Sequence, residues 1–119
     1  MKYLRNIKPF EPIKMKDMIS HSGNTIASKA LVDNEKHEVR FFSYAKGESI
    51  DKEYYEMESL FIVIEGEAKI VYNENYESII SEGDIFGLEA DIQYGMEALT
   101  DKLLNILIRE WFISKKIWN

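Results

Sequence analysis

The chain has no cysteine, two prolines and two histidines in 119 residues. Without cysteine there are no disulfides, no thiolate metal sites and no cysteine nucleophile. No apolar run approaches the ~20 residues of a membrane helix. The first six residues, Met1-Lys2-Tyr3-Leu4-Arg5-Asn6, carry no apolar core of a signal peptide, so the expected location is the cytoplasm. Positive charge is scarce: 15 Lys and Arg face 21 Asp and Glu, for a formal net charge of -6. Lys115-Lys116 is the one adjacent basic pair, and no basic patch is present, so a phosphate backbone is repelled and no nucleic-acid partner is expected.

What remains is a globular composition, 45% hydrophobic and 13% aromatic, of a length that suits one domain. Both prolines, Pro9 and Pro12, fall in the first twelve residues and mark an extended arm with at most edge-strand character. Lys14–Ser20 has room for one helical turn, with Met15, Met18 and Ile19 at helical spacing. From Thr25 onward, short strand-like runs alternate with turn residues every eight to twelve positions, nine or ten runs in all. They are Thr25–Val32, Lys36–Ala45, Glu53–Glu58, Leu60–Ile64, Ala68–Tyr72, Tyr76–Ile80, Ile85–Leu88, Ile92–Leu99 and Lys102–Ile108. This spacing predicts an all-β sandwich or barrel. Leu60–Ile64 is apolar at every position, which predicts a central strand covered on both faces. Asn73-Glu74-Asn75 predicts a tight hairpin, since asparagine tolerates positive φ. The end of the chain, Arg109–Asn119, carries Trp111, Phe112, Ile113, Ile117 and Trp118, apolar surface that either packs back or meets a partner.

Two glycine-opened segments stand out. Gly47–Gly66 (GESIDKEYYEMESLFIVIEG) ends in Phe61-Ile62-Val63-Ile64-Glu65-Gly66-Glu67, and Gly83-Asp84-Ile85-Phe86 opens a second, with a hairpin between them. In this punctuation the chain resembles the cupin superfamily over about residues 38–108. The resemblance implies a single-domain, all-β, double-stranded β-helix (a jelly-roll barrel), with an N-terminal arm over 1–22, the barrel over 23–108 and an apolar tail over 109–119. It also implies a homodimer.

Most cupins that do chemistry hold a transition metal on three imidazoles and one carboxylate. Here the positions of the first motif's two histidines fall on Glu53 and Tyr55, and its glutamate falls on Ser59. In the second motif the proline position is Glu89, the histidine position Tyr94 and the asparagine position Ala98. The resemblance therefore implies a barrel site of Glu53, Tyr55, Ser59 and Tyr94, with no metal ligand of the usual kind and no cofactor. Glu53 and Tyr55 share a strand face, as do Ser59 and Phe61. An unperturbed phenol, with a pKa near ~10, ligates metal well only once deprotonated. Three readings stay open: a pocket for a small polar or cationic molecule, metal-free acid/base work by a glutamate with a raised pKa, and a vestigial barrel. An enzyme of isomerase, lyase or dioxygenase type using this oxygen-rich site is the alternative to a binding protein.

Elsewhere, His37 is expected to be exposed and His21 sits in a turn cluster with no role. Neither Ser43 nor Ser59 has a histidine placed to make a triad. Glu35, Glu38, Glu74, Glu77 and Glu82 are expected to be solvated edge charges.

Overall fold

The computed structural model describes residues 4–110; the apolar segment from Trp111 onward lies outside them. Nine strands follow in order: β1 Ile26–Asp33, β2 His37–Tyr44, β3 Ser49–Tyr55, β4 Glu58–Glu65, β5 Glu67–Tyr72, β6 Tyr76–Ser81, β7 Ile85–Leu88, β8 Ile92–Ala98 and β9 Leu103–Glu110. They form two antiparallel sheets, one ordered β1-β2-β9-β4-β7 and the other β3-β8-β5-β6. Among the described residues no helix is long and apolar enough to cross a membrane. The expected helical turn is a 3-10 turn at Met15–Asp17.

Period-two alternation builds the barrel wall. On β4, Ser59, Phe61 and Val63 are buried while Leu60, Ile62 and Ile64 are half-buried. The inner residues join Tyr44, Ile70, Tyr94, Met96, Leu103 and Leu107 in the main core between the sheets. The expectation of a strand covered on both faces is met on the inside only. Outside, a second cluster of Met18, Ile19, Leu31, Phe41 and Leu104 packs against Ile64 and Ile106. The N-terminal segment that makes this cover is short, so Leu60 and Ile62 keep part of their surface exposed.

The Gly47–Gly66 stretch crosses from one sheet to the other. Its first half is β3, which ends at Tyr55 and not at Glu58 as the residue pattern suggested; Glu58 and Ser59 open β4 instead. This places Glu53 and Tyr55 on one wall and Ser59 on the facing wall. Gly95 on β8 makes the crossing possible. A Cβ there would lie 2.7 Å from the Ile50 carbonyl oxygen and 2.8 Å from the Lys52 nitrogen, closer than side chains come. The absent side chain lets β3 press onto β8 where its register shifts between Ile50 and Glu53. In the β5–β6 hairpin Asn73 takes φ 54°, as its residue type suggests.

Candidate functional site

Strand register assembles the site from two rows of cross-strand neighbours. In the five-stranded sheet Arg109 of β9 lies opposite Glu38 of β2 and Ser59 of β4. In the four-stranded sheet Tyr94 of β8 lies opposite Glu53 of β3 and Tyr72 of β5. Both rows line the barrel, and Arg109, Ser59 and Tyr94 meet inside it.

Tyr94 is the centre, 1% exposed. Its ring stacks on Tyr55, with centroids 4.3 Å apart, and meets Phe61 edge-on at 5.9 Å. Arg109 donates to its hydroxyl from Nε at 3.3 Å and Nη2 at 3.2 Å. Ser59 Oγ is 2.9 Å from the same hydroxyl. Two guanidinium N–H groups use the phenol oxygen as acceptor. The guanidinium also lies over the Tyr55 ring, 4.6 Å from the centroid. Its Nη1 reaches Glu38 Oε1 at 3.4 Å.

Of the four residues the motif positions single out, the structure brings Tyr55, Ser59 and Tyr94 together. Glu53 stands apart at the rim. It is exposed, and the Tyr55 hydroxyl reaches its Oε2 only at 3.5 Å. The burial that an acid/base glutamate needs is missing there. Burial pushes the Tyr55 phenol above its usual range, with the Arg109 charge pulling the other way.

Sequence reasoning missed four residues. Arg109 belongs to β9 and not to a tail, because that strand runs to Glu110. Glu38, expected as a solvated edge charge, is half-buried and paired with Arg109. Tyr44 and Asn105 are fully buried, at 0% and 1% exposure. Among the described residues nothing hydrogen-bonds the Tyr44 hydroxyl or either polar atom of the Asn105 amide. Desolvation drives the Tyr44 phenol far above its ordinary range. The available signal was the alternation along β9, which puts Asn105 and Arg109 on the face of Leu103 and Leu107.

The cupin fold commonly carries a metal in this place, and these residues do not fit one. Phenols ligate when deprotonated, yet burial keeps the Tyr55 proton on. A fixed guanidinium on the Tyr94 oxygen already supplies positive charge where an ion would sit. Among the described residues no group of three or more His, Asp or Glu side chains is placed to hold an ion.

A second polar cluster lies outside the barrel and corrects the expectation for Ser43. His21 Nδ1 is 2.8 Å from Ser43 Oγ, and His21 Nε2 is 2.9 Å from Asp101 Oδ1. A cavity of about 700 Å³ adjoins it, lined in part by Lys16, Lys46 and Lys102. The arrangement does not make a nucleophile. Ser43 is 1% exposed, and the imidazole presents Nδ1 to the serine, the reverse of the order in serine hydrolases. Its effect is mechanical: it ties the N-terminal segment to β2 and to the β8–β9 turn. The imidazole hydrogen bond holds the Asp101 carboxyl below its usual range. His37 is exposed, as expected.

No protein-family model matches this chain, and no curated protein does. Solved structures do. The chain is similar to a cupin superfamily protein of Desulfitobacterium hafniense at 22% identity, over 92% of this chain and 99% of that one, with a TM-score of 0.85. A conserved Streptococcus pyogenes protein of unknown function matches at 19% identity, over 93% and 96%, with a TM-score of 0.86. A cupin 2 conserved barrel domain protein of Leptotrichia buccalis matches at 27% identity and a TM-score of 0.84, over 92% of this chain and 51% of that one.

Proposed function

The chain has the cupin fold, and from that premise we propose that it is a binding protein for a small, polar, carboxylate-bearing molecule, working without a catalytic metal. One observation carries this reading: the barrel interior holds hydrogen-bonding groups with no partner among the described residues. These are the Tyr44 hydroxyl and both ends of the Asn105 amide. Each such group costs about 1–3 kcal/mol when left unmet, and an apolar side chain of the same size would avoid the cost. A ligand that supplies donors and acceptors repays it.

Arg109 selects the charge of the ligand. Its bonds to Tyr94 and Glu38 are 3.2–3.4 Å long, beyond the 2.7–2.9 Å of a strong charge-assisted pair. A ligand carboxylate can take the guanidinium in better geometry. The Tyr55 face, which a cationic ligand would need, is covered by Arg109 itself.

The test is a thermal-shift screen of small hydroxy, keto and dicarboxylic acids. A ligand at 100-fold its Kd stabilises the fold by about 2.7 kcal/mol. The expected result is at least one acid that raises Tm in the wild type and fails in Arg109→Gln and Tyr94→Phe, with Glu53→Gln affecting it less. Hits that survive both substitutions overturn the site, and stoichiometric iron, manganese, nickel or zinc in the purified protein overturns the metal-free reading.

A further inference from the structure

The outer face of the five-stranded sheet carries a groove of about 320 Å³ at the end of β4, β7 and β9. Leu60, Gly87 and Ile108 line its floor, and Glu58, Glu89 and Glu110 stand around it. Gly87 is what makes it deep. A Cβ built there meets nothing within 4 Å, so the groove exists because a strand position facing outward has no side chain. Leu60 and Ile108 are only half-buried, an apolar floor without full cover among the described residues.

We infer that this groove is the docking site of the chain's own C-terminal segment, residues 111–119. The segment starts one residue after Glu110, which itself lines the groove. Nine residues span up to about 30 Å when extended, and crossing from β9 over β4 to β7 takes about 10 Å. Its composition is complementary. Trp111, Phe112, Ile113, Ile117 and Trp118 offer apolar surface for the floor, and Lys115 and Lys116 offer two positive charges to Glu89 and Glu110. The aromatic side chains bury apolar area that the short N-terminal cover leaves open on this sheet.

Both tryptophans of the chain lie in this segment, so emission excited at the red edge, where tyrosine does not absorb, reports on it. The experiment compares emission maximum and acrylamide quenching in the wild type, Gly87→Leu and the double variant Lys115→Glu/Lys116→Glu, each over a dilution series with light scattering. The wild type is expected to show blue-shifted, shielded tryptophan that does not change on dilution. Gly87→Leu fills the groove and is expected to shift emission to the red with a several-fold rise in the quenching constant. The lysine reversal, which leaves every described residue intact, is expected to do the same at low salt. Three results overturn the inference: wild-type emission matching a free 111–119 peptide, shielding unchanged in both variants, or shielding lost as a homodimer dissociates, which assigns the groove to a second copy.

Discussion

The two polar clusters of this protein differ in residue types and in hydrogen-bond quality. In the outer one, His21 meets Ser43 and Asp101 at 2.8 and 2.9 Å, and both ring nitrogens are engaged. In the barrel, Arg109 is held by three bonds of 3.2–3.4 Å, while Tyr44 and Asn105 have no partner among the described residues. The outer cluster is saturated, as expected of a clamp that is complete in the folded chain. The barrel cluster is unsaturated, and a buried unsaturated group calls for an explanation outside the fold. Cluster composition alone would have pointed the wrong way, since a serine, a histidine and an aspartate look catalytic and two tyrosines with an arginine look structural.

The sharpest way to break the contrast is Arg109→Ala. It leaves the half-buried Glu38 carboxylate and the Tyr94 hydroxyl without their donor. After discounting for partial exposure the expected loss is about 2–3 kcal/mol, read from urea unfolding. Ligand-induced stabilisation should vanish in the same protein. Gly95→Ala comes next. Its Cβ falls within 2.9 Å of the β3 backbone, so β3 must lift off β8, at about 1–3 kcal/mol. Because Glu53 and Tyr55 ride on β3, the ligand affinity should weaken along with stability.

His21→Ala addresses the other cluster. It leaves the buried Ser43 hydroxyl unpaired and should cost about 1–2 kcal/mol. Ligand binding in the barrel should stay unchanged; a large loss there would mean that the clusters are coupled. Tyr44→Phe carries the opposite sign. Removing an unmet buried hydroxyl should leave the unliganded protein equal or up to about 1 kcal/mol more stable, and weaken the ligand.

The last effect is alkaline. Tyr44 and Tyr55 both have phenol pKa values raised by burial. The folded state keeps protons that the unfolded chain gives up, so their contribution is fully present below about pH 10 and is lost as pH rises through the folded values. Urea midpoints should fall from about pH 10 upward, and more gently in Tyr44→Phe.

Much of this fold was legible in the residue pattern. Period-two alternation and turn residues located nearly every strand to within two or three positions, because each strand's inner face must be apolar and each turn needs residues that tolerate its backbone. The exception is β3, where Ser49–Tyr55 reads as polar and exposed on its own and takes its register from Gly95 across the sheet. The motif positions also led to Tyr55, Ser59 and Tyr94, whose side chains the structure places in contact.

What the amino-acid sequence by itself determined is the set of strands, their inward faces and the lack of imidazole at the cupin metal positions. These are local properties, readable two residues at a time. Only the tertiary structure decided which polar residues meet. Arg109 reaches Glu38 across 71 positions and His21 reaches Asp101 across 80, through pairings set by sheet order and register. No local periodicity records such a pairing, because it arises from how the two sheets close on each other.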